Sequence, residues 1–370
     1  MNKKLHIVSL DIPDPPDYGG VMDIYATAAA LHARGVEVIL HCFEYGNRQR
    51  MAEPGNICSE VHYYPRKKGF SFRLPYIVSS RKNEQLYRRL LEDDAPILME
   101  GIHCSYPVLD KRFAGRKMAV RSFNIEYDYY EGLARHTRSA IRKWYYQAES
   151  RLLKRYEQRV AGKATVLTLS QADADTYRNV LGGTDTHFVP VLFHGIPDAQ
   201  PGTGTYCLYH GNLSVEENEA IALWLAKDVF AGTGIPFVIA GKNPKEHLLK
   251  TVQPYDNITV KANLSESEML RLVANAQLNV LPSLNSTGVK LKILYALYHG
   301  RFCMTNAAGK TGIHQDDLVA VAGDAASFKE WIAGHFHTPF TTEMAEERKQ
   351  ILNNTFSAGN RVETLMKYLW

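Results

Sequence analysis

Residues 278–306, LNVLPSLNSTGVKLKILYALYHGRFCMTN, carry the pattern that decides the fold. Two short apolar runs, LNVLPS and RFCMTN, enclose a turn of small polar residues and a segment whose apolar side chains cover most of a helical circumference. We expect Ser286 or Thr287 to cap this helix at its start and Gly300 to end it. A strand, a buried helix and a second strand in this order are typical of a parallel α/β sheet.

The same alternation of strand and helix runs through the rest of the chain. The first half contains the apolar runs LHIVSL, VEVILHCF, PILMEGI, KMAVRSF and TVLTLS, and the second half contains YCLYHG, PFVIAG, ITVKAN, LNVLPS, RFCMTN and LVAVAG. Because helical patterns separate these runs, the sequence predicts two doubly wound α/β domains. Ligands of such domains bind outside the carboxyl ends of the strands, so the cleft between the domains is the expected site.

The clearest domain boundary is the segment FHGIPDAQPGTGTY, residues 193–206, which holds three glycines and two prolines and has no periodic pattern. We therefore predict a first domain over residues 1–192, a linker over 193–205 and a second domain over 206–340. The tail, residues 341–370, predicts two short helices.

Composition limits the class of protein. The 370 residues include 45% hydrophobic and 22% charged residues, which is ordinary for an enzyme of two domains. No apolar run reaches the roughly 18 residues needed to span a membrane, and the N-terminus MNKKLHIVSLDIP predicts a first strand and not a signal peptide. The five cysteines are scattered without metal-ligand spacing, so we expect reduced thiols, no metal site and a cytoplasmic location.

The net charge of +4 is unevenly distributed. Residues 1–190 carry 28 Lys and Arg against 22 Asp and Glu, and the rest of the chain carries 15 against 17. Residues 135–159, RHTRSAIRKWYYQAESRLLKRYEQR, combine eight basic residues with aromatic side chains at helical spacing. Such a basic amphipathic helix is expected either to contact an anionic membrane or a phosphorylated lipid, or to present a solvated charged face.

Glycine and polar residues follow the predicted strands of the first half. Gly19 and Gly20, in DIPDPPDYGGVMDIY, allow the backbone to pass close to a ligand just before a helix, although a plain turn uses the same residues. His103 follows PILMEGI, and Glu126 follows KMAVRSF. Since strand carboxyl ends meet at the cleft, both are candidate site residues, with a structural histidine and a solvated turn as the alternatives.

Lys290 and Lys292 stand at the start of the predicted helix, where the helix dipole is positive. A cation there costs roughly 0.3–1 kcal/mol, and no acidic residue lies between Lys290 and Gly300 to offset this cost. The pattern therefore raises the question of which group lies opposite the two lysines.

Several segments resemble the GT-B glycosyltransferases, and most of all their large retaining family four. These segments are PPDYGGVMDIY, RSFNIEYDYYEGLA and LTLSQADADTY in the first half, and LYHGNLSVEENEAIALWL, FVIAGKNP, residues 264–306 and FSAGNRVETLMKYL in the second. The resemblance covers nearly the whole chain and is strongest over residues 206–306. It implies two Rossmann-like domains facing across a cleft, with the acceptor beside the first, a nucleotide-sugar donor held mainly by the second, and C-terminal helices that cross back to the first.

The resemblance assigns roles to residues at the helix start. In the family, the segment matching residues 287–300 presents a helix N-terminus to the donor diphosphate. Thr287, Gly288 and Lys290 are therefore expected donor contacts. Lys292, which helical geometry turns about 200° away from Lys290, is a further donor contact or a side chain that extends along the apolar surface.

The chain departs from the family at several donor positions. Relatives place a pair of glutamates near the donor, whereas this sequence has a threonine and Tyr295, so the Tyr295 hydroxyl is the expected ribose contact. Relatives hold the donor phosphates with an arginine and a lysine. In this sequence Asn212 stands at the position of that arginine, and Glu217 or Asn218 stands near the position of that lysine. Lys242 of IAGKNP is expected to supply part of the missing positive charge.

The implied activity is transfer of a hexose from a nucleotide sugar to a saccharide or lipid-linked acceptor hydroxyl, with retention and without a metal or other cofactor, in cell-surface glycan or polysaccharide synthesis. His103 and Glu126 are then the expected catalytic residues, which orient the acceptor or the sugar. The alternatives are a non-catalytic GT-B relative that binds or scaffolds, favoured by the loss of the paired glutamates, and a nucleotide-sugar epimerase. The expected partners are the nucleotide sugar, the acceptor and the inner face of an anionic membrane. No nucleic-acid partner is expected.

Overall fold

Two parallel β-sheets organise the chain, one in each half. The computed structural model describes residues 3–16, 19–46, 48–69, 71–137, 139–192, 197–313, 316–356 and 358–370. The strands of the first sheet are β1 (Lys4–Ser9), β2 (Glu37–Glu44), β3 (Glu60–Pro65), β4 (Ile97–Glu100), β5 (Met118–Ser122), β6 (Thr165–Thr168) and β7 (Thr186–Phe188). Those of the second sheet are β8 (Cys207–Asn212), β9 (Phe237–Lys242), β10 (Ile258–Ala262), β11 (Leu278–Val280), β12 (Phe302–Thr305) and β13 (Ala320–Val321).

The strand order places one crevice in each sheet. The first sheet runs β3-β2-β1-β4-β5-β6-β7 and the second runs β10-β9-β8-β11-β12-β13, and the described pairings are parallel in both. In each sheet the order reverses direction between the first and fourth strands, which is where doubly wound sheets bind ligands. The prediction of two doubly wound α/β domains is therefore confirmed.

The described helices cover both faces of the two sheets. They are α1 (Gly19–His32), α2 (Tyr76–Ser79), α3 (Glu84–Leu90), α4 (Glu126–His136), α5 (Ala140–Ala161), α6 (Gln171–Asn179), α7 (Glu216–Trp224), α8 (Glu246–Val252), α9 (Glu266–Asn275), α10 (Leu291–His299), α11 (Ala307–Lys310), α12 (Ala325–His335), α13 (Thr342–Phe356) and α14 (Ala358–Leu369). A π-helical turn, Leu225–Phe230, extends α7. Within the described ranges, no helix is long and apolar enough to cross a membrane.

Two predicted helices differ from the structure. The basic segment 135–159 is divided, because α4 ends at His136 and α5 begins after Ser139, whose side chain accepts a hydrogen bond from the Arg142 backbone. The helix of the opening segment begins at Leu291, so the predicted caps at Ser286 and Thr287 are wrong. Gly288 adopts a left-handed backbone with φ of 66°, which interrupts a helix before it reaches Lys290. Gly300 ends α10 as predicted.

The strands that the sequence did not predict lie at the edges of the first sheet. β3 is mostly half-exposed and β7 has only three residues, so neither carries a long apolar run. An edge strand buries less surface than a central one and therefore leaves a weaker sequence pattern.

The C-terminal helices pack on different domains. Leu352 of α13 belongs to the hydrophobic core of the second domain. Val362, Leu365 and Leu369 of α14 are buried in the core of the first domain beside α1. Of the predicted linker, 193–205, residues 193–196 are outside the described ranges. All five cysteines are buried and free.

Candidate functional site

The two domains touch where the carboxyl ends of their strands face each other. Gly19, at the first turn of α1, lies so near the second domain that a Cβ atom there would sit 3.3 Å from Leu291 Cδ1. A Cβ on Gly288 would collide with the backbone and side chain of Phe123 and Asn124. The predicted site residues Gly19 and Gly288 therefore lie at the domain interface, and each permits a close approach that a larger residue would block.

Lys290 occupies the N-cap position of α10, one residue before the helix begins. Its Nζ atom donates a hydrogen bond to the Thr287 carbonyl at 2.5 Å. Burial lowers the pKa of Lys290 to about 8, although the nearby carboxylates of Glu217 and Asp173 raise it. Asp173 belongs to the first domain and accepts a hydrogen bond from the Gly288 backbone at 3.1 Å, so Lys290 lies close to both domains.

Lys292 is enclosed within the second domain. Its Nζ atom donates to the Pro282 carbonyl at 3.3 Å and lies 4.8 Å from the centre of the Tyr209 ring. Burial lowers its pKa to about 8. The two lysines thus bind different carbonyl groups, but the predicted separation around a helix does not apply, because Lys290 precedes the first residue of α10.

Glu217 is the acidic group that lies near both Lys290 and Lys292. It lies in the first turn of α7, which follows β8, and its charge acts on both Lys290 and Lys292. Its Oε1 atom accepts hydrogen bonds from the Ser283 hydroxyl and from the backbone N–H groups of Leu284 and Asn285, at 2.9, 3.0 and 3.2 Å. The carboxylate therefore holds the loop after β11 in the crevice of the second sheet, where β8 and β11 are neighbours.

Asn212 and Lys242 are paired at the carboxyl edge of the second sheet. The Asn212 side chain accepts hydrogen bonds from the Ser214 backbone and hydroxyl at 3.1 and 2.7 Å, which shapes the turn before α7. Lys242 is exposed. Thr287 is buried and donates from its backbone and hydroxyl to the Asn285 side chain at 2.8 and 2.9 Å.

Tyr295 lies on α10 between two histidine rings. The centre of the Tyr295 ring lies 6.4 Å from the centre of the His210 ring and 4.9 Å from that of the His299 ring, and both pairs are edge-on. Burial raises the Tyr295 pKa to about 12, so the hydroxyl keeps its proton at neutral pH and can donate a hydrogen bond.

In the first domain, His103 and Glu126 face a common cation. His103 lies in the turn after β4, and burial together with the charges of Arg81 and Arg66 lowers its pKa well below the usual range. Glu126 begins α4, and burial raises its pKa to about 7, opposed by a hydrogen bond from Asn124 and by the Arg81 charge. The neutral imidazole of His103 can form hydrogen bonds with a ligand, and a carboxyl group with a pKa of about 7 can exchange a proton with one.

The sequence analysis did not identify Arg81. It is 5% exposed and donates to the Leu10 and Ile77 carbonyls at 3.0 and 2.9 Å. No local pattern in SSRKNEQ distinguishes this arginine from the half-exposed Lys82 beside it, because its burial depends on how the segment folds over β1.

A second unpredicted cluster lies beneath the cleft. Arg121 of β5 forms a fully buried ion pair with Asp23 of α1, with Nε and Nη2 at 2.5 and 3.1 Å from the carboxylate oxygens. Arg121 also donates to the carbonyls of Val189 and Pro190, and Asp23 accepts from the Leu192 backbone at 2.6 Å. The chain leaving the first sheet is therefore fixed to buried charges.

Within the part of the chain that the structure describes, no group of three or more His, Cys, Asp and Glu side chains is arranged to hold a metal ion.

Comparisons with known proteins place this geometry in a wider context. No protein-family model matches the sequence. An uncharacterized 44.6 kDa protein in the cps region of Klebsiella pneumoniae is 24% identical over 375 residues, covering 96% of this chain and 95% of that protein.

Several solved structures superpose on nearly the whole chain. Sucrose-phosphate synthase from Thermosynechococcus elongatus has a TM-score of 0.70 at 14% identity, covering 99% of this chain and 98% of that one. Anabaena HepE in complex with UDP and glucose has a TM-score of 0.70 at 12% identity, covering 100% of this chain and 99% of that one. An S. aureus TarM variant in complex with UDP, fondaparinux and a GlcNAc-glycerol has a TM-score of 0.68 at 9% identity, covering 99% of both chains. The chain therefore has the GT-B fold of these proteins, as the sequence predicted.

Proposed function

We propose that the protein is a glycosyltransferase of the hexosyltransferase type. It moves a sugar from a nucleotide-sugar donor, held at the start of α10, to a hydroxyl of a saccharide or lipid-linked acceptor beside the first domain. The proposal adopts the retaining, metal-independent reaction that the family resemblance implies. The cps-region relative supports a place in cell-surface polysaccharide synthesis.

The observation that carries the proposal is the position of Lys290. A half-buried cation precedes the positive end of α10 and lies between the two domains of a GT-B fold. A helix N-terminus and a lysine together favour a bound diphosphate, and the developing charge on a diphosphate leaving group is what a glycosyl transfer must stabilise. Thr287, Gly288, Asn212 and Lys242 remain the proposed donor contacts around Lys290.

The acceptor side of the proposal rests on the first domain. His103 and Glu126 are proposed to orient the acceptor hydroxyl or the donor sugar, because both lie at strand ends that face the cleft and share Arg81 as a neighbour. Gly19 and Gly20 are proposed to let the donor sugar approach the α1 backbone.

The direct test is a screen of nucleotide sugars for thermal stabilisation, followed by assay of nucleoside diphosphate release. A donor present at about 100 times its dissociation constant should stabilise the protein by roughly 2.7 kcal/mol. Stabilisation by one nucleotide sugar, with release of its nucleoside diphosphate when an acceptor is added, supports the proposal. Absence of stabilisation by every common nucleotide sugar contradicts it.

A non-catalytic GT-B protein is the second candidate, and Glu217 is the observation that favours it. Its carboxylate occupies loop N–H groups that an anionic ligand would otherwise contact. Such a protein would retain the fold and bind a partner without turnover. Donor binding without any release of nucleoside diphosphate over a panel of saccharide and lipid-linked acceptors would support this second function.

Reversible contact with an anionic membrane at the cytoplasmic face is part of the proposal. Two apolar side chains at the start of α5, Ile141 and Trp144, are 82% and 70% exposed, and they stand among basic residues. Aromatic and aliphatic side chains flanked by Lys and Arg are typical of helices that lie at a membrane interface.

A further inference from the structure

A groove of about 470 Å³ lies between α4 and α5 in the first domain, which we call the α4–α5 groove. Both of its walls carry cations. Arg135 comes from α4, and Lys143, Arg151 and Lys154 come from α5, whereas Glu131 is the one acidic residue of the lining. The groove is therefore a concave surface with a strong excess of positive charge.

Two of these cations interact with a neighbouring side chain of the groove lining. Arg135 pairs with Glu131 at 3.2 Å, and the Lys154 Nζ atom lies 5.1 Å from the centre of the Tyr127 ring. Among the residues that the structure describes, neither Lys143 nor Arg151 forms an ion pair. These two residues stand eight positions apart on one side of α5, with Gln147 between them on the same wall, so their charges add along the groove.

Phosphate is the anion that this lining fits best. An arginine presents several N–H groups in a plane that matches two phosphate oxygens, and lysines contribute compact charges to the remaining oxygens. The groove is open on one side and is bounded by Tyr127 and Ala134 as well as by the cations. This combination accommodates a phosphate or diphosphate that is attached to a larger group.

The first turn of α5 indicates where that phosphate comes from. Ile141 and Trp144 are exposed in the same helical turn as Lys143, so the end of the groove that contains Lys143 lies close to exposed apolar surface. Trp and Ile side chains enter the interface of a bilayer, where lipid phosphates lie. A phosphate in the groove is then at the depth of a lipid headgroup.

The same end of α5 borders the cleft between the domains. Arg142 forms an ion pair with Glu216, which precedes Glu217 in the first turn of α7. A group attached to a phosphate in the α4–α5 groove therefore needs to cross only the edge of the first domain to reach the cleft.

We propose that the α4–α5 groove binds the phosphate group of a membrane-anchored lipid. That this lipid carries the acceptor saccharide rests on the glycosyltransferase function proposed above, whereas binding of the phosphate itself does not. The expected ligand class is a polyprenyl phosphate or diphosphate, or a lipid with a similarly accessible phosphate.

The test compares two pairs of substitutions on one helix. Lys143→Gln with Arg151→Gln removes two charges from the groove, and Arg155→Gln with Arg159→Gln removes two exposed charges of α5 that do not line it. Binding of the full-length proteins is measured by co-sedimentation with phosphatidylcholine vesicles that contain polyprenyl phosphate, with vesicles of matched phosphatidylglycerol content, and with soluble pyrophosphate as a competitor. Thermal unfolding and nucleotide-sugar binding are measured in parallel.

The proposal predicts that the groove pair weakens binding to polyprenyl phosphate vesicles by about tenfold or more, while the control pair has a smaller effect. Both variants should melt as the parent does, because all four side chains are exposed. Equal losses of vesicle binding for the two pairs would show that only the overall surface charge of α5 matters, and this result would overturn the proposal. Equally tight binding of soluble pyrophosphate would overturn the lipid as the source. Nucleotide-sugar binding should be unchanged in both variants, which separates this test from that of the donor site.

Discussion

At the scale of single residues, Glu217 and Lys290 set the charge of the proposed donor site. Glu217 lies near the position where the family resemblance implies a lysine, and its carboxylate is bound by the loop after β11. The chain therefore supplies its own anion to the lysines. A diphosphate that enters this site must share it with the carboxylate or displace it.

Glu217→Gln should strengthen nucleoside diphosphate binding. The amide oxygen can still accept hydrogen bonds from the loop, but the charge that repels phosphate is gone. At an effective dielectric constant of about 20, a unit charge roughly 10 Å away contributes on the order of 1–2 kcal/mol, so we expect about tenfold tighter binding by calorimetry. Weaker binding by the variant would mean that the carboxylate itself contacts the ligand.

Tyr295→Phe should weaken donor binding modestly. Loss of one net hydrogen bond to the ribose costs about 0.5–1.5 kcal/mol, and the ring can remain between His210 and His299. Titration and thermal unfolding of Tyr295→Phe and Tyr295→Ala distinguish the possible roles. Unchanged binding in the Phe variant together with a lower melting temperature in the Ala variant would show that Tyr295 only packs.

At the scale of elements, the sequence predicts the central strands of both sheets and the edge strands β10 and β13 of the second sheet, but not the edge strands of the first sheet. The apolar runs of the central strands come from burial on both faces, which leaves a pattern in the sequence, whereas β3 and β7 lie at edges and leave little. The start of α10 was misplaced because the left-handed Gly288 and its contact with Asp173 depend on the other domain. The role of Glu217 likewise depends on the pairing of β8 with β11, which no local pattern encodes.

The apolar stripe of α5 was predicted from spacing, but the structure divides it between two environments. Of the residues at that spacing, Tyr156 is buried, whereas Ile141 and Trp144 are exposed at the other end of the helix. Helical spacing identifies which residues share a face, and it does not show how far the rest of the domain covers that face.

Replacing Ile141 and Trp144 together with alanine should reduce binding to anionic vesicles by about tenfold or more, because burial of each large apolar side chain contributes about 1.5–3 kcal/mol. The melting temperature should be unchanged, since both side chains are exposed. Leu249→Ala, at an exposed apolar position of α8, is the control. Equal binding of the parent protein to neutral and anionic vesicles, or no binding to either, would contradict the membrane proposal.

At the scale of the whole molecule, buried charges fix the chain where it leaves the first domain. Arg121 and Asp23 hold the chain as it leaves the first sheet, and Arg361 of α14 donates to the Val191 carbonyl. Glu100, at the end of β4, is fully buried beside this cluster, and within the described residues its carboxylate oxygens have no hydrogen-bond partner.

Glu100 should make stability depend on pH. Burial raises its pKa from 4.5 to about 8, although the Arg121 charge opposes the shift. The folded protein therefore keeps the proton that the unfolded chain releases, so this contribution to stability is complete below about pH 4.5 and is lost as the pH rises towards about 8. Melting temperatures of Glu100→Gln should fall less over this range than those of the parent. Glu330→Gln, at an exposed position, is the control, and identical pH profiles of Glu100→Gln and the parent would contradict the prediction.

The most direct test of the account is calorimetric titration of nucleoside diphosphates against the parent protein, Lys290→Ala and Lys292→Ala. A charge-assisted contact is worth about 1.5–3 kcal/mol, so Lys290→Ala should weaken diphosphate binding by roughly one to two decades. Binding of the bare nucleoside should hardly change, and Lys292→Ala should act less on binding because its amino group faces Pro282 and Tyr209 inside the second domain. If Lys290→Ala binds every nucleoside diphosphate as tightly as the parent protein does, the donor site is not at the start of α10 and the central claim is wrong.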